Sequence, residues 1–185
     1  MISAMNDQVD NNKVSIMLVS GEMDKAILAF EVAAGFAALG MTVEMWFVLY
    51  GVNCLKKPRH RFSPFKWLRP SKSSSPGRKI ESDTFLQNIV RGLNHDGAEQ
   101  LPLSQLNYLG LGPVILQKIM KKKGMASLRQ LILDAEELGV EFKICQICID
   151  ALAIDMDNDL IVNAKMAGVS EYAKSVKLCH YNAVY

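Results

Sequence analysis

Short apolar runs alternate along the chain with longer amphipathic stretches, and the two periods read as strands and helices. Residues 13–19 (Lys-Val-Ser-Ile-Met-Leu-Val) are almost continuously apolar, as in an interior parallel strand covered on both faces. The run closes at Ser20-Gly21. Residues 24–39 then carry apolar side chains at helical spacing up to Gly40, and residues 42–50 form a second apolar run. Strand, helix, glycine and strand in that order predict a right-handed βαβ unit. The same rhythm returns near residue 130. Ser127 is a good N-cap for a helix reaching Leu138, with Leu128, Leu131, Ile132 and Ala135 on one face; Gly139 ends it and residues 140–145 follow as a strand. Residues 113–123 predict another helix, with Pro113 in its first turn and Lys121, Lys122 and Lys123 at its carboxyl end. Shorter helical pieces are expected over 84–93, 101–109, 157–165 and 170–174, and a last strand over 176–181. The sum is an α/β protein with an open sheet of four to five mostly parallel strands and helices on both faces.

Composition fits one such domain. The chain has 185 residues, half of them hydrophobic, enough for a filled core. Residues 1–12 read as a disordered tail and residues 13–185 as a single domain. The longest uncharged apolar stretch, 32–43 between Glu31 and Glu44, is too short to span a bilayer. No secretory leader is visible in the polar first residues, so the four cysteines are expected as reduced thiols in a cytoplasmic protein.

The net charge of +2 hides an asymmetry. Nine Lys and Arg and no acid fall between Lys56 and Lys79, which leaves twelve of the 21 basic residues, against all 19 acidic ones, for the rest of the chain. Residues 56–80 also hold four prolines, a serine run and the aromatics Phe62, Phe65 and Trp67, and read as a basic mobile insertion. Such a segment suits an acidic protein partner or an anionic membrane surface; nucleic acid is not the expected partner.

Candidate chemistry lies at the end of the 140–145 strand. Cys145 and Cys148 are spaced C-x-x-C, and strand ends at the carboxyl edge of an open α/β sheet are where ligands bind. A helix starting at residues 147–148 would place its amino end beside Cys145 and favour the thiolate, which is the reactive form. Cys54 follows the second strand by a few residues and reaches the same pocket if that strand neighbours the Cys145 strand. It is then a resolving or relay thiol, and otherwise a loop anchor. Cys179 reads as core or interface packing. Asp150 reads as structural, and Gly110 and Gly112 as packing glycines. One cysteine pair and three scattered histidines do not make a zinc site, so no metal is expected, and no cofactor motif is present.

Four stretches together resemble the DsrE/DsrF-like family of sulfur-handling proteins, in its larger, peroxiredoxin-like branch. They are Val19-Ser20-Gly21 with Asp24-Lys25; Ala37-Ala38-Leu39-Gly40-Met41 followed by 43–57; Gly110-Leu111-Gly112 with Met120 to Lys123; and Ser127-Leu128 through Cys145 to Asp150. The resemblance implies a flavodoxin-like α/β fold and homo-oligomers that hold sulfane sulfur as a persulfide on Cys145 and exchange it with TusA-like or rhodanese-like proteins. The chain departs from the branch just after Cys145. Ile147-Cys148-Ile149-Asp150 stands where a Met-Ser-Met-Asp run is usual, and Ala153 stands where glycine is expected. Cys148 is thus an added thiol. Sulfur carriage or sulfurtransfer through Cys145 is the leading reading. A non-catalytic oligomeric assembly module and a thiol-disulfide oxidoreductase using Cys145 and Cys148 stand as alternatives.

Overall fold

Backbone hydrogen bonds join five strands, all parallel: β1 (Asp10–Leu18), β2 (Thr42–Phe47), β3 (Glu141–Cys145), β4 (Lys165–Ala167) and β5 (Cys179–Val184). The structure, a computed structural model, describes residues 10–58, 97–106 and 111–185. The strands lie in the order β4-β3-β2-β1-β5. The chain therefore winds outward from β1 to β4 and then crosses back to set β5 on the other side of β1. Among the described residues five α-helices accompany them: α1 (Met23–Ala38), α2 (Leu111–Lys122), α3 (Leu128–Glu137), α4 (Gln146–Ala151) and α5 (Val169–Leu178). A 3₁₀ helix spans Leu49–Leu55.

The two faces of the sheet differ in chemistry because side chains alternate along each strand. Val14, Ile16 and Leu18 of β1, Val43, Met45 and Phe47 of β2, and Phe142 and Ile144 of β3 meet α1 and α3 in one apolar cluster. Phe30 of α1 packs on both Phe47 and Phe142, with ring centroids 5.9 Å from each, and those two rings lie 5.8 Å from one another. The intervening positions face α5 and carry the charged side chains Lys13, Glu44 and Lys143 beside Trp46, whose ring packs on Tyr172. Glu44 forms an ion pair with Lys13 at 2.7 Å and with Lys143 at 3.3 Å, and the Ser175 hydroxyl of α5 donates to it at 2.5 Å. Lys143 also reaches Glu171 and Glu141, and its Nζ lies 4.8 Å from the centre of the Trp46 ring. Burial pushes the Glu44 carboxyl up, but Lys13, Ser175 and Lys143 together hold it below the usual carboxylate range.

Capping explains the helix ends. The Ser127 hydroxyl accepts the Gln130 amide at 3.2 Å, so the expected N-cap of α3 is present. Gly40 and Gly139, just beyond α1 and α3, take positive φ of 79° and 82°, a conformation that glycine adopts without steric cost.

Several expected boundaries move. β1 begins at Asp10, so residues 10–12 belong to the sheet rather than to a tail: Asp10 pairs with Cys179 of β5, and the Asn12 side-chain amide donates to the Gly40 carbonyl. β2 stops at Phe47 instead of residue 50, because Leu49 turns to φ 50° and opens the 3₁₀ helix. Residues 101–106 are not helical. Leu101 is buried in the core, the Pro102 carbonyl accepts the Met23 amide, and Ser104 hydrogen-bonds to Asp24 through both its amide and its hydroxyl. No helix forms over 157–165. The Asp155 carboxylate accepts the amides of Asp157 and Asn158 in a local turn, and the three-residue β4 follows. Residues 176–178, expected in the last strand, complete α5 instead, because its third turn carries Ser175 to Glu44; β5 then runs three residues further than expected. The helix expected over 84–93 and nearly all of the basic segment 56–80 lie outside the described residues.

Candidate functional site

Cys145 is the last residue of β3 and the N-cap of the six-residue helix α4. It is half-buried, aligned in register with Ala167 of β4, and β3 lies between β2 and β4. The site thus sits at the carboxyl ends of three adjacent parallel strands. It lies two strands away from the β1–β5 junction where the winding reverses.

Cys148 is the third residue of α4. An N-cap and the third helical residue are the two positions whose side chains face each other across a helix start, as in a capping box. Here both are thiols, set at facing positions of one helix start. Cys148 is only 3% exposed. Its sulfur accepts the backbone N–H of Leu49 at 3.1 Å. Burial pushes the Cys148 thiol up, the Leu49 amide opposes that, and the charge and hydrogen bond of Cys145 push it up further. Cys148 therefore holds its proton more tightly than an ordinary cysteine.

The Leu49 amide is the contributor that sequence reasoning misses. It is held by a tight junction after β2. The Val48 amide donates to the Leu18 carbonyl at 3.0 Å and the Gly51 amide to the Val19 carbonyl at 3.0 Å. A Cβ on Gly51 would lie 2.1 Å from the Leu18 oxygen, and one on Gly21 would lie 3.0 Å from the Tyr50 Cβ. The Ser20-Gly21 turn is fixed in turn by the Ser20 hydroxyl, which donates to Glu22 at 2.8 Å, and by the Glu22–Lys25 ion pair.

Cys54 sits elsewhere. β2 does neighbour β3, as the relay idea requires, but the 3₁₀ helix turns Cys54 into the apolar cluster, where it is 1% exposed and donates its S–H to the Gly51 carbonyl at 3.0 Å. Burial pushes this thiol far above the ordinary range. Cys145 and Cys148 thus stand at facing positions of one helix start, while Cys54 packs in the core beside the junction that follows β2. Cys179 opens β5, with its thiol donating to the Val176 carbonyl. Asp150 lies in the last turn of α4 and accepts from Gln146, so it is not the cap. A Cβ on Gly112 would lie 2.3 Å from the Leu106 oxygen, which is a packing role, while Gly110 lies outside the described residues. Ala153 adopts φ 50°, the left-handed conformation that suits the glycine expected at this position. Among the described residues no three His, Cys, Asp or Glu side chains form a group that could hold a metal, and no helix is long and apolar enough to cross a membrane.

Comparison with known proteins places these features. The profile of the DsrE/DsrF/DrsH-like family matches residues 10–183. The uncharacterized protein YrkE of Bacillus subtilis is 31% identical over 160 residues, covering 86% of this chain and 88% of that one. The sulfur carrier protein DsrE2 of Allochromatium vinosum is 27% identical over 178 residues, covering 94% and 99%. The crystal structure of the ychN protein from E. coli shares the fold with a TM-score of 0.53 at 10% identity, covering 94% of this chain and 99% of that chain. With its parallel five-stranded sheet and a family match over nearly its whole length, the chain belongs to the DsrE/DsrF/DrsH-like family.

Proposed function

We propose that the protein takes part in sulfur relay, holding sulfane sulfur as a persulfide on Cys145 and passing it to a thiol of a partner protein. The observation that supports this most directly is the half-buried Cys145 at the β3 edge, paired with a buried Cys148 that retains its proton. The family match and the similarity to a protein named a sulfur carrier support the relay role. In the first step the Cys145 thiolate attacks the outer sulfur of a donor persulfide, and the donor thiolate leaves. The Cys148 S–H stabilises the sulfur anion beside it. An acceptor thiolate then attacks the outer sulfur of Cys145–S–S⁻, and the Cys145 thiolate departs. TusA-like or rhodanese-like proteins are the donor and acceptor class in this reading, and a reducing cytoplasm would keep the thiols available. The segment 56–80 would add contact with an acidic partner or an anionic membrane surface.

The test is peptide mass spectrometry of the reduced protein after exposure to polysulfide. One added sulfur atom on the Cys145 peptide, transferable to a second thiol protein and lost in Cys145→Ser, is the expected result. Absence of added sulfur would overturn the proposal.

Homo-oligomerisation belongs to the same reading. Leu111, Ile115 and Ile119 follow one another at a spacing of four along α2, and each is more than half exposed, an apolar row that self-association would cover. Sedimentation at micromolar concentration should show an oligomer; a monomer would count against it.

A further inference from the structure

We propose that Cys148 discharges the Cys145 persulfide as hydrosulfide, which gives the protein a sulfide-releasing activity that needs no protein acceptor. This rests on the reading of Cys145 as the carrier.

Three observations carry it. First, Cys145 and Cys148 occupy the N-cap and third positions of α4, and Cys145 has the extended backbone of an N-cap (φ −63°, ψ 126°) without a cap hydrogen bond from its side chain. Its sulfur is therefore not engaged by the helix amides and is free to meet the side chain of the third helical residue, Cys148. Side chains three apart on a helix have Cβ atoms about 5–6 Å apart, so closing a disulfide, which needs about 3.5–4.5 Å, requires the two residues to draw together by roughly one to two ångströms. Second, Cys148 is 3% exposed, so an incoming protein thiol reaches Cys145 and not Cys148. The electrophile that Cys148 meets is the sulfur of its neighbour. Third, the Leu49 N–H already points at the Cys148 sulfur at 3.1 Å, where it supports the negative charge that develops as the proton leaves.

The step balances without an external oxidant. The proton of Cys148 passes to the outer sulfur. The Cys148 sulfur then attacks the inner sulfur of Cys145, forming the Cys145–Cys148 disulfide. The bond between Cys145 and the outer sulfur breaks, and its electron pair leaves with that sulfur. The sum is Cys145–S–S⁻ plus Cys148–SH giving the disulfide plus HS⁻. A dithiol reductant resets the site by attacking the more accessible Cys145, with Cys148 leaving as a thiolate that the Leu49 amide receives. In reverse, the disulfide form takes up hydrosulfide and becomes loaded.

The experiment loads reduced full-length protein with polysulfide, transfers it to buffer without reductant, and follows trapped sulfide and peptide masses with time. The wild type should lose its persulfide with matching release of sulfide and appearance of the Cys145–Cys148 disulfide. In Cys148→Ser, and in Cys148→Ala should the serine variant not fold, the persulfide should last about tenfold longer or more, the loss expected on removing an intramolecular nucleophile. Equal lifetimes in wild type and variants, or sulfide release without the disulfide, would overturn the discharge role alone. Failure of every protein to load at Cys145 would instead overturn the carrier reading beneath it.

Discussion

Replacing Glu44 by glutamine is expected to lower the unfolding free energy by about 3 kcal/mol at neutral pH, the low end of what breaking a buried ion pair costs. The side chains of Glu44 and Lys143 are only 8% and 9% exposed, so water does not compensate for a missing partner. Glu44 is also the carboxylate that joins Lys13 of β1, Lys143 of β3 and Ser175 of α5. Without its charge, Lys13 and Lys143 face each other across β2, and Glu171 and Glu141 remain beside Lys143 alone. The sign of the pH dependence separates this account from simple loss of packing. The carboxyl of Glu44 is held below the ordinary glutamate value of 4.5 in the folded protein. Its contribution is therefore fully present above that pH and is lost as pH falls through the folded value. Urea unfolding should show wild type and Glu44→Gln well separated near neutrality and converging in acid. A gap that stays constant down to the acid limit would show that charge is not what stabilises this face.

That charged layer marks where the sequence stops being legible. The apolar halves of β1, β2 and β3 can be read directly, because Val14, Ile16, Val43, Met45, Phe142 and Ile144 recur at the period of a strand. Glu44 and Lys143 interrupt those runs, and nothing local tells a solvent-facing charge from one buried against a helix that carries its partner 28 residues after Lys143. β4 has three residues, too few for any period to register, and the turn before it is organised by the Asp155 carboxylate rather than by glycine or proline. The site divides in the same way. The C-x-x-C spacing at a strand end is visible in the letters, and the fold sets the two thiols at the N-cap and third positions of one helix. The Leu49 amide is not visible, because a backbone group leaves no trace in residue type and leucine gives no warning of a positive φ. For Cys54 the neighbouring strand is legible but the direction of the side chain is not. The 3₁₀ helix, which no apolar period announces, is what rotates it into the core.

The junction that holds Leu49 is the second place where one substitution should act strongly. Gly51→Ala puts a methyl group 2.1 Å from the Leu18 carbonyl oxygen, a distance no real Cβ contact tolerates, and the obstacle is backbone rather than a movable side chain. The Leu18 oxygen also receives the Val48 amide, so moving it away disrupts the β1–β2 junction itself. Overpacking of this kind costs about 1–3 kcal/mol, and the rigid neighbour places Gly51 at the upper end. The effect should also reach the cysteine pair. If residues 48–51 lift to make room, the Leu49 N–H leaves the Cys148 sulfur, and a thiol that is 3% exposed becomes accessible. Gly51→Ala should therefore be less stable to urea and also faster than wild type in alkylation of Cys148 under native conditions, as read from peptide masses. Gly35→Ala gives the opposite sign for comparison. Gly35 lies inside α1, and a methyl group there would have nothing within 4 Å, so alanine should stabilise by about 0.5–1 kcal/mol and leave Cys148 alkylation unchanged. A stable Gly51→Ala protein with Cys148 still protected would mean that the amide contact does not depend on this junction, and would remove the structural basis for coupling β2 to the cysteine pair.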